Sequence, residues 1–388
     1  MKKVAGFILS ACLLLFGTPV SAVPVESVSE VIEVGTAIQV STQYLEEIIV
    51  PHFETSWKDA IVGNPTLFYD HDDNPAVYEL QIRKGNKLLG YIIAGANTNL
   101  NPVVKVGVGL PPTKELTAIG QELETKHNKK VKKATYLYGG PYALGVAIET
   151  MDGVHEKYDL LSKQKVSDFP RLSINPGNKM KTREEWVKAK SKLNTKTKQE
   201  PIFTTMVYNT DTISGMRSYD QAKSNNNSTG CGPAAGANVL NYYDERGYDK
   251  LQSNTDRTDG VALMNHLFSD MGTSAIGTSA EGWANGIKKH ANSENGYRFS
   301  TTVNYYDSSI DSYFWSQIKS FINNDRPFGV FYPLGGSPYS WHIVTVVGFY
   351  EDIDSSYRTI TVNTWGRTEY VNWWGGQPRQ IMWVTANS

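Results

Sequence analysis

The residue with the clearest potential for chemistry is Cys231, which lies in the run STGCGPAAG at positions 228–236. The reactive form of cysteine is the thiolate, and the pKa of a thiol falls at a helix N-terminus or beside a protonated imidazole. The alanine-rich segment 232–245 predicts a helix, with Pro233 suited to its first turn and Gly247 to its end. Cys231 is therefore expected at a helix start, which favours a nucleophile over a buried cysteine or an intermolecular disulfide partner.

A cysteine nucleophile also needs a base, and three histidines follow position 231, namely His266, His290 and His342. His266 lies in an apolar helical run, where a structural role is expected, and His290 follows two lysines at a predicted helix end, where we expect it at the surface. His342 opens the apolar run 343–350 directly after the glycine-rich loop 335–341. A histidine at the mouth of a buried strand can face a cleft on a rigid backbone, so we predict that His342 is the base.

Asn363 and Trp365 close the next predicted strand, in the run VNTWG at positions 362–366. Asn363 can accept a hydrogen bond from the His342 ring and fix its tautomer, and Trp365 can shield that bond from water. The alternative is that Asn363 is only a turn residue at the end of the strand. The predicted catalytic set is Cys231, His342 and Asn363, with Trp365 in support.

The elements that carry these residues form an α+β pattern, in which helices come first and strands follow. Helices are predicted at 232–245, 260–271, 280–291 and 311–323. Strands are predicted at 297–303, 328–332, 342–350, 359–363, 370–373 and 380–384. We therefore predict one domain over residues 205–388.

The preceding part of the chain, 23–180, reads as a helix followed by a mainly antiparallel sheet. Alternating strands flank Lys84-Gly85-Asn86-Lys87 and again the turn 151–153, which predicts two hairpins. Residues 23–180 contain no set of side chains whose types and spacing suggest catalysis. Its histidines lie among polar residues without metal-ligand spacing, and we expect them at the surface: His52, His71, His127 and His155.

Between the two domains, the lysine-rich segment 181–204 predicts a basic linker. For its first half, a solvated helix face is an equal alternative. Exposed basic linkers are easily cut, so an activating protease is an expected partner of this chain.

The first residues have the pattern of a secretory signal peptide over positions 1–22: Lys2 and Lys3, the apolar stretch 4–16, and Val20-Ser21-Ala22 before the cut. A lipid-anchored form through Cys12 is less favoured, because few apolar residues precede Cys12 and the apolar run continues beyond it. We therefore expect a secreted, extracellular protein whose single cysteine is Cys231. No other apolar run is long enough for a membrane helix.

Charge and composition exclude some partners. The formal net charge of -1 argues against a nucleic-acid binder held by phosphate neutralisation. We expect no cofactor and no metal ion, because the acidic cluster at Glu351, Asp352 and Asp354 is weak as a calcium site.

The run CGPAAGA at 231–237, with YYDERGY at 242–248, resembles the papain-like cysteine peptidases, in particular the branch related to bacteriocin-leader-processing peptidases. The overall plan of a secretion signal, a long propeptide and a late Cys, His, Asn-x-Trp order is similar to streptopain-type secreted proenzymes. The resemblance covers about 219–384 and implies a helix carrying the cysteine packed against a sheet carrying the histidine.

The family also places a glutamine shortly before the cysteine, where it donates to the tetrahedral oxyanion. Gln221 is the only glutamine in that stretch and lies ten positions before Cys231. The resemblance therefore implies Gln221 as the oxyanion donor, with the asparagines in between as the alternative: Asn225, Asn226 and Asn227.

The resulting hypothesis is a secreted cysteine endopeptidase made as a zymogen, with the domain at 23–180 as its prodomain and a peptide or protein as its substrate. Two other interpretations stay open. The same triad would serve an amidase or acyltransferase, and the fold could belong to a noncatalytic extracellular binding protein.

Overall fold

A computed structural model describes residues 29–140, 143–161, 163–169, 171–172, 176–196, 208–225, 228–253, 256–333, 342–353, 357–373 and 379–387. The predicted signal peptide with Cys12, the end of the predicted linker, the loop before His342, Asn226, Asn227 and Asp354 lie outside the described residues.

The N-terminal half, residues 29–196, begins with helix α1 (Val34–Tyr44), which a π-helical turn connects to the short helix α2 (Val50–His52). The strands and the further helix of this half are β1 (Ile61–Tyr69), β2 (Pro75–Lys84), β3 (Lys87–Gly95), β4 (Val103–Val108), α3 (Glu115–His127), β5 (Val131–Gly140), β6 (Ala143–Thr150), β7 (His155–Asp159) and β8 (Lys165–Val166). Strands β2–β3 and β6–β7 form the two predicted hairpins, and Gly85 has the positive φ of 56° that the first turn needs.

Helix α4 (Pro176–Lys196) contains the first part of the segment predicted as a linker. Trp186 is buried, and its indole N–H donates a hydrogen bond of 2.8 Å to the carbonyl oxygen of Leu100. Thr182 donates to the carbonyl oxygen of Thr98 at 3.0 Å. Residues 181–196 are therefore a helix that is docked on the N-terminal half.

The C-terminal half, residues 208–387, has the mixed helix and strand content expected of an α+β domain. Its elements are β9 (Tyr208–Thr212), α5 (Cys231–Asp244), α6 (Asp256–Asp259), α7 (Val261–Asp270), α8 (Ala280–Lys288), β10 (Arg298–Tyr305), α9 (Asp311–Asn323), β11 (Phe328–Tyr332), β12 (His342–Asp352), β13 (Tyr357–Thr364), β14 (Arg367–Asn372) and β15 (Gln380–Asn387). Among the described helices, none has both the length and the apolar composition needed to cross a membrane.

One sheet runs through both halves, in the order β10-β15-β11-β12-β13-β14-β4-β3-β2-β1-β5-β6-β7-β8, and β9 pairs with β12. The halves meet where β14 pairs antiparallel with β4, with Glu369 opposite Gly107 and Val371 opposite Lys105. The sequence predicts a sheet in each half and gives no signal for a pairing between them. The ladder joins these strands into one sheet.

A buried ion pair crosses this junction. Lys105 Nζ lies 3.0 Å from Glu369 Oε2, and both side chains are fully buried. The Glu369 carboxylate also accepts hydrogen bonds from the Tyr91 hydroxyl at 2.7 Å and from Arg367 Nε at 3.2 Å. Two of the three groups that stabilise this carboxylate, Lys105 and Tyr91, thus belong to the N-terminal half.

Candidate active site

Cys231 is the first residue of α5, as the sequence predicted, and it is 8% exposed. The start of this helix is tightly packed. A Cβ atom at Gly232 would collide with the side chain of Thr278, and the Trp283 indole donates a hydrogen bond of 3.0 Å to the Gly232 carbonyl oxygen. The close packing fixes the position of the Cys231 backbone.

Helix α5 is held against β12 through Thr345. The Thr345 hydroxyl donates to the carbonyl oxygen of Ala235 at 3.0 Å and accepts from the Asn238 side-chain amide at 3.2 Å. At the start of the strand, the backbone N–H of Ile343 hydrogen-bonds the Cys231 sulfur. Because Ile343 follows His342, this contact brings the thiol to the end of the strand that carries the predicted base.

The surroundings of Cys231 and His342 favour their neutral forms. Burial raises the pKa of the Cys231 thiol, although the backbone N–H groups of Ile343 and Gly232 oppose this effect. Burial also lowers the pKa of His342 to about 3, partly opposed by the charge of Glu369. At neutral pH the pair is therefore a thiol and a neutral imidazole in this structure.

Trp365 lies over the His342 ring, with ring centroids 3.8 Å apart and an angle of 8° between the planes. It occupies the turn between β13 and β14, where Trp365 and Gly366 have positive φ values of 46° and 71°, as a type I′ turn requires. The Trp365 side chain also packs against the hydrophobic cluster of the N-terminal half that contains Tyr91 and Leu100. Trp365 is thus in contact with both the predicted base and the N-terminal half.

Thr364, the neighbour of Asn363, forms a hydrogen bond with the His342 ring, at 2.7 Å between Nε2 and Oγ1. Asn363 lies opposite Thr345, on the face of β13 that packs towards α5. Its amide donates to the carbonyl oxygen of Arg217 at 3.1 Å, and its Oδ1 accepts from Thr368 at 3.0 Å. Thr364 was not singled out from the sequence, although it is the middle residue of the Asn-x-Trp run.

Gln221 is buried in a single 3₁₀ turn, Gln221–Lys223, that packs beside α5. The backbone N–H and the hydroxyl of Ser224 both donate to its carbonyl oxygen, at 3.0 and 2.8 Å. Asn225 is exposed, and its backbone N–H donates to Asn265 at 2.9 Å. Of the described candidates for the oxyanion donor, Gln221 is thus the buried one.

Three expectations about polar residues need correction. His290 is buried, with 6% exposure, and not at the surface. His52 is half-buried, and its ring centroid lies 4.3 Å from that of Tyr208. Glu351 and Asp352, which were predicted in an acidic turn, belong to β12, where Glu351 pairs with Lys319 at 2.6 Å and with Arg358 at 3.1 Å. These cations already neutralise Glu351. His71, His127 and His155 are exposed, as expected.

A known protein family matches the part of the chain that carries the candidate site. Residues 213–374 match the model of the Peptidase_C39 like family, a match that covers less than half of the 388 residues. The match includes Cys231, His342, Asn363 and Trp365, and it supports a papain-like cysteine peptidase family for this segment. No curated protein matches the chain.

Proposed function

We propose that this chain is a secreted cysteine endopeptidase that is made as a zymogen, with Cys231 as the nucleophile and His342 as the base. The observation that carries the proposal is the hydrogen bond from Ile343 to the Cys231 sulfur, which places a helix-start cysteine beside the strand end that bears His342. The family match over 213–374 supports the reaction class.

In the proposed reaction, His342 takes the thiol proton and Cys231 attacks the carbonyl carbon of the scissile peptide bond. The resulting oxyanion is stabilised by the backbone N–H of Cys231 together with the side-chain amide of Gln221. The protonated His342 then gives its proton to the leaving amine, and water hydrolyses the thioester. Asn363 is the predicted positioning group for His342, and the contact at Nε2 makes Thr364 a second candidate.

The proposed latency rests on burial and on Trp365. A substrate carbonyl must reach the Cys231 sulfur, yet Cys231 and His342 are 8% and 5% exposed. Burial also disfavours the thiolate–imidazolium pair, as the pKa directions of both groups indicate. Because Trp365 contacts both His342 and the N-terminal half, that half is suited to hold the closed arrangement until the connection is cut.

The nucleophile is tested with a thiol-directed activity label and a fluorescent protein substrate, applied to the full chain after proteolytic activation. We expect Cys231→Ala to abolish both labelling and turnover without a change in circular dichroism. His342→Ala should reduce turnover by several orders of magnitude, and the matched control His155→Ala should not, because His155 is exposed in the hairpin β6–β7. Retained turnover by Cys231→Ala would refute the mechanism. Turnover of simple amides but not of proteins would indicate an amidase.

Latency is tested by cutting the full chain at a protease site introduced between residues 197 and 204, which follow α4. A tethered inhibitor acts at an effective concentration on the order of millimolar, and the cut removes this advantage. We expect cut protein to hydrolyse a small peptide faster than uncut protein, and the ratio to grow on dilution. Equal turnover at all concentrations would show that the N-terminal half is not inhibitory, and it would leave the Cys231 result unaffected.

A further inference from the structure

Four side chains with metal-binding atoms converge at the ends of two helices in the C-terminal half. His266 and Asp270 belong to α7, and His290 and Glu294 belong to the π-helical turn Lys289–Glu294 that continues α8. One ligand atom of each residue lies within 4.8 Å of all the others. None of the four residues has a role in the proposed peptidase reaction.

The distances between these atoms suit a single ion. His266 Nε2 is 3.2 Å from Asp270 Oδ2 and 2.7 Å from Glu294 Oε2. His290 Nδ1 is 3.4 Å from the same Asp270 oxygen and 3.2 Å from the same Glu294 oxygen. In a tetrahedral zinc site with bonds of roughly 2.0–2.1 Å, neighbouring ligand atoms are about 3.3 Å apart. Small adjustments would place one ion at bonding distance from all four atoms.

In its neutral form, the His290 ring presents a lone pair to this point. Its Nε2 lies 2.8 Å from the carbonyl oxygen of Leu251 and donates to it, so in the neutral ring Nδ1 has no proton. Nδ1 of His290 and Oδ2 of Asp270 are buried and make no hydrogen bond to any described residue, and their side chains are 8% and 2% exposed. The lone pair of a neutral ring that faces two carboxylate oxygens is repelled by them, and a metal cation between these atoms removes the repulsion.

Lys289 does not supply that cation, because it binds the other oxygen of each carboxylate. Its Nζ lies 2.6 Å from Asp270 Oδ1 and 3.4 Å from Glu294 Oε1. Lys289 therefore orients the carboxylates so that Oδ2 and Oε2 point at the common centre. Partners of this kind, like the Leu251 carbonyl on His290, are typical of the groups that orient metal ligands.

We propose that these four side chains bind one divalent transition-metal ion of the zinc type: His266, Asp270, His290 and Glu294. Imidazole nitrogens favour zinc-type ions over calcium or magnesium, and two imidazoles with two carboxylates complete a four-coordinate site.

The ion has a structural role. It joins α7 to the end of α8, and it reaches the segment after α5 through the bond between His290 and Leu251. Met271, the residue after Asp270, packs against α5 so closely that a side chain at Gly236 would collide with it. The site therefore stabilises the helical layer around the helix that carries Cys231.

The test uses the full chain after dialysis against a chelator. We expect calorimetry to show one equivalent of bound Zn²⁺, Co²⁺ to give the visible absorption of a tetrahedral complex, and Zn²⁺ to raise the unfolding temperature. Absence of saturable binding of either ion would overturn the proposal and leave the cluster as a network of ion pairs.

Variants at His266 test whether this residue binds the metal ion or only packs against its neighbours. The His266 side chain is 51% exposed, so its replacement is compatible with folding. His266→Ala should weaken Zn²⁺ binding about 100-fold or more, whereas the control His155→Ala should bind like wild type. His266→Cys should keep the ion and add a thiolate-to-Co²⁺ charge-transfer band. Equal affinity of wild type and His266→Ala, or a His266→Cys protein without this band, would overturn the assignment.

Discussion

Replacing Lys105 by methionine removes the positive charge of the ion pair that joins the two halves while keeping most of the side-chain volume. Lys105 and Glu369 are fully buried and 3.0 Å apart. The substitution therefore leaves a carboxylate in the interior without its closest cation. We expect it to destabilise the fold strongly, because a buried charge that loses its partner keeps its full desolvation penalty.

The size of the effect follows from what remains around Glu369. Removing one partner of a buried pair costs about 3–5 kcal/mol. Glu369 would still accept hydrogen bonds from Tyr91 at 2.7 Å and from Arg367 at 3.2 Å. Since these groups compensate part of the loss, we expect Lys105→Met to lower the free energy of unfolding by about 3 kcal/mol, at the lower end of that range.

Urea unfolding of the full chain, made inactive by Cys231→Ala, measures this change. The matched control is Lys157→Met, because Lys157 forms an exposed pair with Asp168 at 3.3 Å; there the loss should stay below about 1 kcal/mol. Adding Glu369→Gln to Lys105→Met should recover part of the stability, since it removes the buried charge that Lys105 no longer compensates. A loss below about 1 kcal/mol for Lys105→Met, or no recovery in the double variant, would refute the reasoning.

Two further predictions concern His342. Burial lowers the pKa of His342 to about 3, so below about pH 6.5 this residue binds a proton in the unfolded chain but not in the folded chain. The contribution of His342 to the free energy of unfolding should therefore fall by about 1.4 kcal/mol per pH unit, or by about 2 kcal/mol between pH 6.5 and 5. Urea unfolding at both pH values should show this loss in wild type and not in His342→Gln, and equal losses would contradict a buried neutral His342. Thr364→Val, which removes the hydroxyl 2.7 Å from His342 Nε2, should lower kcat about tenfold with a smaller effect on KM. A larger loss of kcat for Asn363→Ala than for Thr364→Val would identify Asn363, and not Thr364, as the residue that positions His342.

Local sequence signals predicted the elements that carry the candidate site. The helix expected at 232–245 is α5, Cys231–Asp244, because alanines, Pro233 and Gly247 specify its length without help from distant residues. The strand after the glycine-rich loop is β12, because an uninterrupted apolar run fits a strand buried on both faces. The coarse α+β content follows from such signals. The papain-like organisation stays a prediction.

Features that depend on pairing between distant segments could not be predicted. The ladder between β4 and β14 joins residues more than 260 positions apart, and nothing in the local run VVKVGV indicates that Lys105 pairs with a buried carboxylate of a distant strand. In the same way, His-x₃-Asp at 266–270 and His-x₃-Glu at 290–294 are visible as i,i+4 pairs, but nothing local brings the two helices together. The structure places the two imidazole centroids 5.0 Å apart.

The ladder between β14 and β4 also determines what a separated C-terminal half would look like. Loss of the N-terminal half would turn β14 into an edge strand, whose free N–H and C=O groups could pair with a second copy and start aggregation. The same separation would uncover Glu369 without Lys105, together with Arg367, which lies 3.2 Å away on the same strand. Charged side chains on an edge strand oppose edge-to-edge pairing. Glu369, which stabilises the joined form, thus also helps to protect the separated form from self-association.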